Sequence, residues 1–228
     1  MAVVLAALAA AGTPAAASVE DVPVDQPLAV LLEDQVARAE PSLEARGVQT
    51  VHGRRPLTRV RTVLPVLGSA TSSAGREWLH VRLPGRPNSH TGWILAEATR
   101  RESTPWSIHL QLSSRVVTVY QYGRAVRRFR AVIGTRSTPT PQGRFFVEEA
   151  VALAPGAAGG PYALALSARS AVLQEFAGGP GQTALHGTRG LYGRRGTAAS
   201  HGCVRLGTRA IRWLARRITA GVPLHVER

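Results

Sequence analysis

The chain has 228 residues, 44% of them hydrophobic and 18% charged, enough length and apolar content for one large core or two small ones and too apolar for a disordered chain. Its formal net charge is +14, every basic residue is arginine, and the excess lies in residues 99–228, with nineteen Arg and five acids against nine of each in residues 1–98. Such a charge draws anionic partners. The arginines are nevertheless scattered through strand-like segments, with no zinc-finger spacing, RNA-binding aromatic motif or basic helix with heptads, which argues against nucleic acid.

At the N-terminus, "AVVLAALAAA" over residues 2–11 is too short to span a bilayer, and "GTPAAAS" follows with small residues at Ala15 and Ala17. Residues 1–17 are therefore read as a signal peptide cut near Ser18, although a positive leading region is missing. Export to an extracytoplasmic compartment is expected, and no other apolar stretch approaches membrane length, so no integral membrane contact is expected after cleavage. Residues 18–55 read as a linker or loosely docked segment with a short helix in "PLAVLLEDQVARAE".

From residue 56 to 98 short β-type runs, "RTVLPVLG", "EWLHVRLPG" and "TGWILA", alternate with turn residues, as in a small β-barrel, with Trp78 and Trp93 read as its core. From about residue 107 the period-2 signal strengthens through "SSRVVTVYQYG", "RAVRRFRAVIG", "GRFFVEEAVAL", "YALALSA" and "GQTALHG". In "LGTRAIRWLARRITAG" the period changes: Leu206, Ala210, Ile211, Leu214, Ala215 and Ile218 recur at helical spacing, with Thr208 as N-cap and Gly221 as the stop. A last strand, "VPLHV", closes the chain. The expected class is mainly β, with one helix just after the cysteine.

That cysteine, Cys203 in "SHGCVRL", is the only one in the chain, so no internal disulfide can form and an exported free thiol asks for a chemical role. A thiol is mostly protonated at neutral pH and needs a base or a positive field to act as a nucleophile. Two histidines qualify: His201, two residues away, and His186, which the fold would have to bring near. The N–H groups of Gly202 and Cys203 are natural donors to an oxyanion, and a glycine beside the nucleophile permits close approach of backbone to a ligand. Ser200 has a hydroxyl suited to bonding within this turn. Arg205 suits either a substrate carboxylate or a structural role. A zinc site from His186, His201 and Cys203 has suitable ligand types but none of the usual spacings, so neither metal nor cofactor is expected.

Taken in order, "GTRSTPTPQGRFFV" (134–147), "ALHGT" (184–188), "SHGCVRL" (200–206), the helix with "WL" and the closing "GVPLHV" resemble the YkuD-like L,D-transpeptidase catalytic domain over residues 107–228. "GREWLHVRLPGRPNSHTGWI" resembles the bacterial SH3-like modules found beside wall-acting enzymes. The resemblances imply an SH3-like β-barrel followed by a β-sandwich catalytic domain acting on peptidoglycan stem peptides, as a monomer. They further imply Cys203 as nucleophile, His186 as its base, the Gly187 carbonyl as the group orienting that base, and His201 as a residue lining the site. Ser200, Arg205, Tyr162 and Thr188 are the expected substrate-binding residues, with Tyr162 mainly packing. The implied reaction forms cross-links by aminolysis of a thioester; hydrolysis instead would trim stems. A papain-like peptidase would place its cysteine before its histidine, the reverse of the order here. A non-enzymatic wall-binding protein is the remaining alternative.

Overall fold

The computed structural model describes residues 22–175 and 179–228, so the expected signal peptide over 1–17 lies outside the described residues. Seven strands make a first sheet: β1 (Gln26–Leu31), β2 (Gln35–Arg38), β3 (Gly47–Val51), β4 (Val63–Thr71), β5 (Glu77–Arg82), β6 (Thr91–Leu95) and β7 (Thr99–Thr104), in the order β3-β2-β6-β5-β4-β1-β7. The three β-type runs expected between 56 and 98 form the strands β4, β5 and β6. The stretch expected as linker is not one: it supplies β1, β2 and β3, and no helix forms in residues 27–40. The reason is long-range. β1 pairs with β4 on one side and β7 on the other, and the run Leu28–Leu31 is buried between them. A short continuous apolar run is compatible with a buried strand or a helix, and partners far along the chain decide which forms.

The core of this sheet includes Leu31, Leu64, Leu79, Ile94 and, from outside it, Phe146. Trp78 is 1% exposed, as expected of a core residue. Trp93 is not in the core: on the strand after buried Gly92 and before buried Ile94 it is half-buried and stacks on His80, with ring centroids 4.8 Å apart. Alternation along β6 puts it on the opposite face from Ile94.

The second sheet has eight strands. β8 (Trp106–Gln111), β9 (Val116–Gln121) and β10 (Arg124–Arg130) form a meander whose second turn, Tyr122–Gly123, has φ of 51° and 72°, the type I′ geometry that suits the twist of a hairpin. β11 (Ile133–Gly134) follows, then β12 (Gly143–Ala152), β13 (Tyr162–Arg169), β14 (Gln182–Gly187), β15 (Ala198–Ser200), β16 (Val204–Leu206), helix α1 (Thr208–Ala215) and β17 (Pro223–Glu227). The sheet order is β10-β9-β8-β17-β12-β13-β14-β16, while β11 and β15 pair separately and in parallel. The molecule is therefore mainly β with a single α-helix among the described residues.

Helix α1 covers the sheet with Ile211 and Leu214, and Ile218 beyond its end is also 0% exposed. Its N-cap is Gly207, with no side-chain cap, rather than Thr208, and it ends at Ala215, short of Gly221. Trp213 packs edge-on against Trp106 and Phe129, with the Arg217 guanidinium 4.5 Å from its ring centroid. No helix among the described residues is long and apolar enough to cross a membrane.

The two sheets meet through β12. Phe146 enters the first core, and the next polar pair, Glu148 and Glu149, are 1% and 2% exposed. Glu148 lies between Arg55 and Arg169, with Arg169 Nη1 3.0 Å from its Oε1, while Glu149 accepts from Thr58 N–H at 2.9 Å and Thr58 Oγ1–H at 2.7 Å. Buried carboxylates are tolerable only when paired in this way.

Candidate active site

The placement of Cys203 and His186 follows from strand register. β14 and β16 run parallel with His186 opposite Arg205 and Leu185 opposite Val204. Leu185, Val204 and Leu206 point into the hydrophobic core. By alternation His186, Ala184, Arg205 and Cys203 therefore face the other way, and the thiol lies one diagonal step from the imidazole. For strands ~4.8 Å apart rising ~3.3 Å per residue, that step separates the backbones by about 8 Å, a gap that an imidazole and a thiol reaching toward each other can close. Both side chains line one cavity of about 400 Å³, shared with His201, Arg205, Leu191 and Leu173 among others. Ala163, opposite His186 on β13, and Ala184 are small enough to leave room there.

The tautomer of His186 is set by its neighbour. Its Nδ1 lies 2.8 Å from the Gly187 carbonyl oxygen, which can only accept, so Nδ1 carries the proton and Nε2 is the basic nitrogen. This bond belongs to a tight backbone crossing: Gly187 N–H donates to Gly159 O at 2.6 Å, and a Cβ on Gly187 would stand 2.1 Å from Gly160 O. Glycine at 187 is thus required by close approach.

The turn carrying Cys203 is held as firmly. Ser200, 0% exposed, donates its hydroxyl to Cys203 O at 2.6 Å and accepts from Gly202 N–H at 3.2 Å. Gly202 has φ of 112°, which L side chains rarely adopt. The segment 134–140 cradles the turn from below: Thr140 Oγ1–H donates to Gly202 O at 2.9 Å, Thr138 Oγ1–H to Ser200 O at 3.2 Å, and Thr135 N–H to Ser200 O at 3.0 Å. These threonines are functional positions that sequence pattern alone does not assign. Their signal was a cluster of hydroxyls and prolines in a loop, which suits backbone carbonyls of a neighbouring turn.

Several expected roles change. Ser200 does not reach the cavity; its hydroxyl is spent inside the turn. Gly202 N–H, one of the two oxyanion donors expected, is bonded to Ser200 Oγ. Tyr162 packs against the sheet core and is not among the cavity residues, nor is Thr188, whose carbonyl accepts from Leu191 N–H in the turn after β14. Arg205 does line the cavity, but it is 5% exposed and donates from Nη1 to Tyr192 O at 2.8 Å, with its guanidinium over the Tyr192 ring at 5.2 Å. Its structural role is therefore on view, and its charge still bears on the site. His201 is exposed at the cavity rim. Among the described residues no group of three or more His, Cys, Asp or Glu could hold a metal ion.

Electrostatics set the resting state. Burial pushes the Cys203 thiol above its ordinary range, partly offset by the Ala184 backbone bond and the Arg205 charge. Burial also lowers His186, helped by Arg205 and opposed by the Gly187 bond. Both shifts favour the neutral thiol and the neutral imidazole over the ion pair. A base works only when unprotonated, and a lowered His186 stays unprotonated further into acid. The acid limb of any Cys203-dependent turnover is expected below the ordinary histidine value of 6.5, read from a pH–kcat/KM profile; an inflection above 6.5 would contradict this.

The model of the YkuD L,D-transpeptidase catalytic domain matches residues 105–226. Among solved structures, an L,D-transpeptidase from Mycobacterium smegmatis is 19% identical with a TM-score of 0.45, over 91% of this chain and 93% of that one. L,D-transpeptidase 3 from Mycobacterium tuberculosis, in complex with a faropenem-derived adduct, is 14% identical with a TM-score of 0.47, over 73% of this chain and 91% of that one. A cysteine-to-serine mutant of the Enterococcus faecium L,D-transpeptidase is 19% identical with a TM-score of 0.42, over 54% of this chain and 50% of that one, so the chain spans half of that protein's length. No curated protein matches the chain.

Proposed function

The chain belongs to the YkuD family of L,D-transpeptidase catalytic domains, and on that premise we propose that it forms peptidoglycan cross-links by cysteine acyl transfer at the cavity shared by Cys203 and His186. His186 Nε2 takes the thiol proton as Sγ attacks the carbonyl joining the L-centre of a tetrapeptide stem to its terminal D-alanine. The oxyanion formed faces the Cys203 N–H, inside a cavity where Arg205 supplies positive charge. The C–N bond then breaks, the imidazolium returns its proton to the departing amine of D-alanine, and a thioester remains. An amine from a second stem attacks it with His186 again as base, giving a new amide and the free thiol.

The observation that carries this reading is the bond from Nδ1 to Gly187 O, which leaves the basic nitrogen of His186 for the face on which Cys203 lies. The protein would act outside the cytoplasm, where its substrate is. Incubation of the reduced protein with tetrapeptide-bearing muropeptides, followed by mass analysis, tests it. Loss of D-alanine with dimer formation is expected. Loss without dimers would make water the acceptor and the activity trimming, and unchanged muropeptides would leave a wall-binding protein.

A further inference from the structure

The cavity around Cys203 is walled in part by Ser170 and Leu173, just after β13, and Gly181, just before β14, at the end of these strands where the parallel register sets Ala184 opposite Cys203. These residues belong to the second sheet, but they are held from the first. The loop between β5 and β6 reaches across and bonds this wall repeatedly. Gly85 N–H donates to Ser167 O at 3.0 Å. Asn88 pairs with the Arg169 backbone in both directions, Nδ2–H to Arg169 O at 2.7 Å and Arg169 N–H to Oδ1 at 2.8 Å. Arg86 does most: its Nη2 donates to Ser170 O at 2.8 Å and Leu173 O at 3.1 Å, and its Nη1 to Pro180 O at 2.9 Å.

One planar guanidinium thus spans segments 170–173 and 180–181, which are also joined directly by Ser170 N–H to Gly181 O at 2.8 Å. We infer that Arg86 is a positioning residue for the substrate cleft, through which the first sheet fixes the spacing of the cavity wall shared with Cys203. Three carbonyls met from two nitrogens of one planar group suit the rigid fork of arginine, which the single point-like ammonium of lysine does not reproduce. Arg86 touches neither Cys203 nor His186, so its removal changes how a peptide fits and leaves the proton transfer alone. A misplaced wall affects the fit of a substrate that needs it and not a reagent small enough to ignore it.

This inference rests on Cys203 as the reacting group of the proposed acyl transfer, so the experiment keeps the two apart. In the full chain, Arg86→Ala and Arg86→Lys are compared with the parent in two assays. The first is the ratio of Cys203 labelling by a bulky maleimide to labelling by iodoacetamide, which needs no transpeptidase activity. The second is donor-stem turnover resolved into kcat and KM. The expected result is a labelling ratio shifted several-fold with iodoacetamide labelling unchanged, and KM for the stem raised about tenfold with kcat within twofold, in both variants. Asn88→Ala, which leaves Arg86 in place, is expected to give a smaller shift of the same sign. An unchanged labelling ratio would overturn the inference, as would an equal rise of both labelling rates, which marks general unfolding. The expected ratio change in the variants, together with a parent that labels but turns over no stem, would sink the proposed function and leave the positioning role standing.

Discussion

Cys203→Ser folds as the parent does and forms no acyl-enzyme with a tetrapeptide stem, and its turnover falls by about 10⁴-fold or more. The fold is kept because Ser200 and Thr140 hold the turn through the backbone oxygens of Cys203 and Gly202, which the substitution leaves in place. The chemistry is lost because His186, lowered by burial and by Arg205, is a weak base. It can accept the proton of a thiol but is poorly matched to an alcohol, whose pKa is far higher. His186→Gln is expected to cost nearly as much alone, and the double variant little more than either, since the two groups act as a unit. Intact-protein mass spectrometry reads the adduct and circular dichroism the fold. A stem adduct on folded Cys203→Ser protein would put the nucleophile elsewhere.

How much of this was legible in the sequence depends on the range of the interaction involved. The turn "SHGCVRL", the histidine of "ALHGT" and the helix after the cysteine are local patterns, and each lies where it was expected. Proximity in the chain also makes His201 a candidate base, but register is not a local property. Only the parallel pairing of His186 with Arg205 puts the farther histidine on the face of the sulfur. The run over β1 and β2 has no period that excludes a helix, and strand partners as far away as Thr104 decide the outcome. Ser200 looked like a substrate contact because its hydroxyl is near the nucleophile in the chain; that it is buried and spent on Cys203 O and Gly202 N–H is a matter of turn geometry. Arg86 had no local signal at all, being one arginine among 28. Glu148 and Glu149 did carry one: two acids inside an apolar strand imply cationic or hydroxyl partners from another element, and Arg55, Arg169 and Thr58 are those partners.

That pair sets the largest expected loss of stability. Glu148→Gln keeps the side-chain volume and removes one charge, leaving the Arg55 and Arg169 guanidiniums, 13% and 10% exposed, facing each other without their shared carboxylate. Glu149 offsets part of this for Arg55, but its Oε2 is already engaged by Thr58. Arg169, brought down to about 10 by burial, is still cationic at neutral pH, so it cannot escape by shedding its proton. Breaking a buried pair from one side costs about 3–5 kcal/mol, which for a chain of this size lowers the melting midpoint by roughly 6–20 °C. The loss comes from stranded charge and not from the carboxylate's own worth. The triple variant Arg55→Met, Glu148→Leu, Arg169→Met, with no charge left to strand, is therefore expected to recover most of the midpoint, although Arg169 also gives up its bond to Leu166 O at 2.9 Å. Thermal unfolding followed by circular dichroism checks both. A shift under ~2 °C for Glu148→Gln would mean that water reaches the two arginines, and the junction between the sheets would then rest on Phe146 and its apolar neighbours.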